Sequence, residues 1–146
     1  MQFEIKVQIN KPVNDVFKYI SMFSNHADMI AANIDSRQTS QGPVQVGTTM
    51  KNKAKFMGIK MEEHFIVTEF IQDKLIAKES IPGSTFVTGD KMTLEEMNGG
   101  TQLTVFVYAN LTGIAKMLDG FLGKKVKASL TADMERLKRD FEAGKI

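Results

Sequence analysis

Phe3, Ile5, Val7 and Ile9 alternate with Glu4, Lys6 and Gln8. A period of two with one apolar face predicts a half-buried strand. Asn10-Lys11-Pro12 ends it. Pro12 suits the first turn of a helix, and Asp15 favours the positive end of its dipole. Val13, Val16, Phe17 and Ile20 mark one face of that short helix, and a second is predicted over 24–29 with Ser24 as its cap.

From Ile34 to Ala109 the chain reads as strands separated by turn signals: Gln41-Gly42-Pro43, Met57-Gly58, Gln72-Asp73-Lys74, Pro82-Gly83-Ser84 and Asn98-Gly99-Gly100. Segments near 30–40, 46–57, 59–71, 74–81, 85–96 and 101–110 then form an antiparallel meander. The period changes afterwards. Leu118, Leu122, Val126, Leu130, Met134, Leu137 and Phe141 recur at spacings of three and four, which predicts one long amphipathic helix ended by Gly144. Glu135 and Arg139 stand at i and i+4 and are expected to pair. Such a stripe must cover an equally long partner, and the sheet is the only one available. The fold class is therefore α+β, a curved sheet of about seven strands wrapped around the last helix. A twisted sheet curls, so the helix need not fill the hollow, and a cavity between them is expected.

Composition narrows the class without naming a function. The chain has 146 residues, 42% of them hydrophobic and 25% charged, with 19 Lys+Arg against 17 Asp+Glu. This fits a single globular domain and excludes disordered and collagen-like classes. Lys51, Lys53 and Lys55, and then Lys124, Lys125 and Lys127, are read as solvated faces, so no nucleic-acid partner is expected. The lack of Cys excludes a thiolate metal site and a Cys nucleophile and fits a reducing compartment. The amino terminus lacks the basic and apolar regions of a signal peptide, and the longest uncharged stretch, 97–115, is too polar for a membrane span. A cytoplasmic protein is expected.

Three stretches carry a family resemblance. They are Phe3 to Ile20, with Ile9-Asn10-Lys11-Pro12-Val13 and then Phe23-Ser24-Asn25-His26; Val67-Thr68-Glu69-Phe70 running to Leu75; and Leu94-Glu95 followed by Gly99-Gly100-Thr101-Gln102-Leu103-Thr104. Together with the element order, they resemble the START/Bet v 1-like (SRPBCC) superfamily and its polyketide cyclase-like members, over essentially all of 1–146. The resemblance implies the helix-grip fold and a cavity for a hydrophobic small molecule such as a lipid, quinone or polyketide, with no metal and no organic cofactor. It also leaves open a cyclase or dehydratase activity or a chaperone-associated interaction role, and it carries over no catalytic set. Met29 stands where many relatives have Trp.

Within that hollow, the face of Met61, Phe65 and Val67 is the more apolar and turns Glu63 inward; Ile66 and Phe70 on the opposite face leave His64 as the alternative. An inward carboxylate would have a raised pKa and could anchor a ligand or act as a base. Asp90 shares a face with Phe86, Thr88, Met92 and Leu94 and is the second inward acid; Tyr108 is a third candidate for proton transfer. Methionine is the compositional oddity, at 10 residues, and its flexible thioether suits adaptable binding surfaces. The expected lining from the sheet is Met50, Asn52, Phe56, Met61, Glu63, Phe65, Phe86, Asp90, Met92 and Val105. Met117, Phe121, Leu122 and Val126 are expected to complete it. Phe106 and Tyr108 alternate with Leu103, Val105 and Val107, so one set faces outward and marks a candidate subunit contact, consistent with a monomer or weak homodimer. His26 is expected to be exposed beside Asp28. No His, Asp or Glu cluster has metal-site spacing.

Overall fold

The computed structural model describes residues 1–146. Its strands are β1 (Gln2–Ile9), β2 (Asn33–Gln38), β3 (Thr49–Phe56), β4 (Ile59–Ile71), β5 (Leu75–Ser80), β6 (Val87–Met97) and β7 (Gly100–Asn110). They form one antiparallel sheet in the order β1-β7-β6-β5-β4-β3-β2. Between β1 and β2 lie α1 (Val13–Ile20), a 3-10 turn (Phe23–Asn25) and α2 (His26–Met29). The second short helix is thus split in two, and the Ser24 side chain caps neither piece. After β7 come α3 (Gly113–Met117) and α4 (Asp119–Glu142).

The β6–β7 hairpin shows how local sequence sets the register. Asn98 and Gly99 have φ of 52° and 75°, the left-handed pair that a two-residue turn needs to match strand twist. Met97 then faces Gly100, and the pairing runs without a break to Val87 and Asn110. One irregularity matters more. The β4–β5 register shifts between Val67 and Glu69, and this extra residue reverses the parity of β4. Phe65 and Val67 face inward before the bulge. Phe70 faces inward after it, with its ring edge-on to Phe17 at 5.5 Å.

The core lies between the concave face and the helices. Ile5, Val7 and Ile9 of β1, Leu103 and Val105 of β7 and Met92 and Leu94 of β6 meet Val16, Phe17, Ile20 and Phe23. Helix α4 completes this core from Leu130 onward. Met134, Leu137 and Phe141 are buried, and burying such side chains contributes on the order of 1.5–3 kcal/mol each. Leu118, just before α4, is 49% exposed and Phe121 in its first turn 52%, while Leu122 and Val126 are half-buried. The continuous stripe therefore covers the sheet along only part of its length.

Polar contacts hold α4 in this position. Asp133 is buried, pairs with Arg136 at 2.9 Å and accepts the Ala31 N–H at 3.2 Å. Arg136 in turn donates to the carbonyl of Met29 at 3.0 Å. The expected Glu135–Arg139 pair does not form; Lys138 and Glu142 make the i,i+4 pair instead, at 3.0 Å. At the other end, the Met1 nitrogen donates to the Ala109 carbonyl at 2.7 Å and pairs with Asp119 at 2.8 Å. The start of α4 is thus fixed at the β1–β7 edge, leaving the inner face of β3–β6 less covered. No helix is long and apolar enough to cross a membrane.

Candidate functional site

Strand register places Asn52, Glu63, Lys78 and Asp90 on the concave face, one on each of four successive strands, with Ser36 opposite Asn52 and Ser80 opposite Phe65. Asn52 of β3 faces Glu63 of β4. Lys78 of β5 faces Asp90 of β6, which faces Val107 of β7. Lys78 stands opposite Val67, an inward residue, so it shares that face. The row borders the packed core on the part of the concave face that α4 covers least. Met50, Phe65, Met92 and Val105 form the floor on the core side. Phe56 and Glu63 are half-buried and Met61 is 40% exposed on the open side.

Lys78 is buried and its ammonium forms an ion pair with Asp90. It also lies 5.7 Å from the Phe65 ring centroid, within cation–π range. This satisfies one half of the row. The other half is unsatisfied. Asn52 is 5% exposed, and its Oδ1 has no hydrogen-bond partner. Burial pushes the Glu63 carboxyl above its ordinary pKa; the Lys78 charge opposes that shift and the Asp90 charge adds to it. Native interiors rarely leave an acceptor unpaired, and an exception needs an explanation such as a ligand.

His26 is also interior, contrary to its expected exposure. Its Nε2–H donates to the Ile20 carbonyl at 2.7 Å, and its ring is edge-on to Phe23. Burial and then the Lys78 charge lower its pKa to about 4, while the Ile20 hydrogen bond and Asp90 oppose the shift. A neutral imidazole therefore sits within range of the Lys78 and Asp90 charges. No group of three or more His, Cys, Asp or Glu could hold a metal ion.

Several candidates named from the sequence, both for the lining and for proton transfer, lie elsewhere. Tyr108 is on the convex face. It faces Gly89 across β6 and β7, and Gly89 faces Glu79 across β5 and β6. Because Gly89 has no side chain, the phenol crosses it and donates to the Glu79 carboxylate; a Cβ at Gly89 would stand 2.6 Å from the Tyr108 hydroxyl. Desolvation and then this hydrogen bond raise the Tyr108 pKa to about 12, so it has no part in the concave site. Met117, 85% exposed, and Phe121 point away from a closed hollow. Phe86 precedes β6, at the end of the sheet that carries the β3–β4 turn. His64 is on the convex face, 3.0 Å from Glu62.

Lys78 is the residue that sequence reasoning misses. Its signal is parity: Ile76, Lys78 and Ser80 share one face of β5, and Ile76 is plainly apolar. Two surface hollows, of about 200 and 370 Å3, lie at the far end near Tyr19 and Ile146. Neither includes a member of the row.

Comparisons agree with this architecture. No protein-family model and no curated protein matches the chain. A solved structure from Thermus thermophilus superimposes with a TM-score of 0.83 at 14% identity, covering 99% of each chain. A START superfamily protein from Mycobacterium smegmatis gives 0.75 at 11% identity, covering 96% of this chain and 98% of that one. The Zhui aromatase/cyclase from a Streptomyces species gives 0.73 at 13% identity, covering 97% and 95%. With its seven-stranded curled sheet gripping a long last helix, the chain has the START/Bet v 1-like helix-grip fold.

Proposed function

We propose that the protein binds a largely apolar small molecule in the groove between the first half of α4 and the inner face of β3–β6. The polar end of the ligand reaches Asn52 and Glu63. The observation that carries this reading is the buried, unpartnered Oδ1 of Asn52 beside the half-buried Glu63. An orphaned acceptor costs the folded chain about 1–3 kcal/mol, which a ligand donor would recover. Met50, Met61, Phe65, Met92, Val105, Leu122 and Val126 supply the apolar contact, in which removal of ligand surface from water drives binding at about 25 cal/mol per Å2.

The row also favours one kind of ligand chemistry. Lys78, its strongest donor, is already engaged by Asp90, so the free groups are the Asn52 amide, with its buried acceptor Oδ1, and the Glu63 carboxyl, an acceptor when ionised. A neutral hydroxyl or phenol fits there. A carboxylate meets Glu63 and an amide oxygen and is disfavoured. In lipid, quinone and polyketide terms, this favours a hydroxylated body over a free fatty acid.

A second reading comes from the raised pKa of Glu63. A carboxyl that keeps its proton to higher pH can act as a general acid or base toward a bound carbonyl compound. The protein would then be a cofactor-free cyclase or dehydratase. Native mass spectrometry of freshly purified protein, with organic extraction of any bound mass, tests the shared premise. A stoichiometric neutral hydroxylated compound, absent from an Asn52→Leu variant, supports the binding reading. Empty protein that also fails to bind the neutral dye Nile red overturns both.

A further inference from the structure

Between β7 and the middle of α4 the chain exposes apolar residues at helical spacing. Ile114 is 79% exposed, Met117 85%, Leu118 49% and Phe121 52%. Their spacing of i, i+3, i+4 and i+7 spans the junction of α3 and α4, and none of the α3 side chains is buried. Side chains this apolar and exposed, and contiguous in sequence, mark a contact site. The same stretch is strongly basic. Lys116, Lys124, Lys125 and Lys127 lie along it, and the only acid between Gly113 and Lys127, Asp119, is already paired with the Met1 nitrogen. The Lys125 ammonium lies 5.7 Å from the Phe121 ring centroid, so a cationic head sits beside an exposed aromatic ring.

We propose that the α3–α4 junction docks on an anionic lipid bilayer surface. Ile114, Met117, Leu118 and Phe121 enter the boundary between headgroups and acyl chains, and the lysines meet the lipid phosphates. An apolar edge flanked by Lys is the pattern of interfacial helices, where buried apolar area and attraction to anionic lipid act together. Charge argues against a second copy of the chain as occupant. A twofold contact through this patch would bring the lysines of one copy against the same lysines of the other. Antiparallel topology places the β3–β4 turn, the segment 81–86 and the start of α4 at the same end of the sheet. The docking face therefore lies at that end of the sheet. The proposal itself rests on the patch and does not require the groove to hold a ligand.

Co-sedimentation with vesicles tests this, using phosphatidylcholine alone and phosphatidylcholine with about a third phosphatidylglycerol. The protein should pellet with the anionic vesicles, much less with the neutral ones, and progressively less as salt is raised. Met117→Ser/Phe121→Ser and Lys124→Glu/Lys125→Glu should each weaken partitioning roughly tenfold or more. None of the four side chains is buried, so circular dichroism should show unchanged folds. Equal pelleting with both vesicle types, no pelleting with either, or anionic binding unaffected by both double variants overturns the proposal. A dimer in light scattering that Met117→Ser/Phe121→Ser dissociates also overturns it, in favour of self-association.

Discussion

Asn52 and Glu63 face each other across β3 and β4 on the concave side of the sheet, and no hydrogen bond joins them. The amide oxygen is buried without a donor, and the carboxyl is shifted by desolvation. Both are unfavourable for an unliganded fold. Their juxtaposition is the most specific indication of function in the molecule.

Replacing Asn52 by Leu should raise stability and lower binding together. The variant removes an orphaned acceptor, which costs about 1–3 kcal/mol when buried, and fills the space with an apolar side chain of similar size. Urea unfolding of the empty protein should give a midpoint above that of the parent. A lower midpoint would show that Asn52 is satisfied within the protein.

The Lys78–Asp90 pair should behave as a buried unit. Lys78→Met leaves Asp90 without its partner, a change of the kind that costs on the order of 3–5 kcal/mol. Lys78→Met/Asp90→Leu removes both charges and should recover most of the loss. A double-mutant cycle by urea unfolding measures this coupling. Additive single effects would show that the two groups are independently solvated.

His26 and Glu63 give opposite pH signatures. The His26 pKa falls from 6.5 to about 4 on folding, so its contribution is present above pH 6.5 and is lost as pH falls toward 4. The shift corresponds to roughly 3 kcal/mol. In urea unfolding, His26→Gln should flatten this slope while its amide replaces the donor to Ile20. The Glu63 pKa is raised from 4.5. Its ionisation therefore favours the unfolded chain, so any relative stabilisation is complete below 4.5 and is lost as pH rises through the folded pKa. Glu63→Gln should exceed the parent in stability at neutral pH and lose that advantage in acid. An advantage that persists unchanged below 4.5 would rule out titration as its cause.

Tyr108→Phe should leave ligand binding unchanged, because the phenol is on the convex face and bonds Glu79. Spectroscopic titration of the parent should show one tyrosine ionising near 12, absent in the variant. A loss of binding in Tyr108→Phe would contradict the assignment of faces.

Much of the fold is legible in the residue pattern because its periods are strong. The alternation of Ile5, Val7 and Ile9 gives β1, and Asn98-Gly99 gives the last hairpin. The parity of β4 is obscured by the bulge after Val67, which lets Phe65 and Phe70 face the same core although five residues separate them. The stripe of α4 shows which face is apolar, and nothing in it shows how far the opposing sheet reaches. Sequence alone therefore puts Met117 and Phe121 in the groove, whereas the structure has them on the surface. Glu63 and Asp90 are accessible to sequence as inward acids. Lys78 is signalled only by its parity with Ile76, and its pairing with Asp90 becomes visible only once β5 and β6 are aligned.

The most direct test of the central claim uses the protein's own methionines. With methyl-13C methionine and a neutral phenolic probe, 2-naphthol, the NMR signals of Met50, Met61 and Met92, assigned by substitution, should shift saturably. Those of Met22 and Met97, away from the groove, should stay fixed. The shifts should weaken in Asn52→Leu, and 2-naphthoate should bind less tightly than 2-naphthol. Saturable binding that leaves Met50, Met61 and Met92 unmoved, or no binding of either probe, would contradict a ligand site on the concave face.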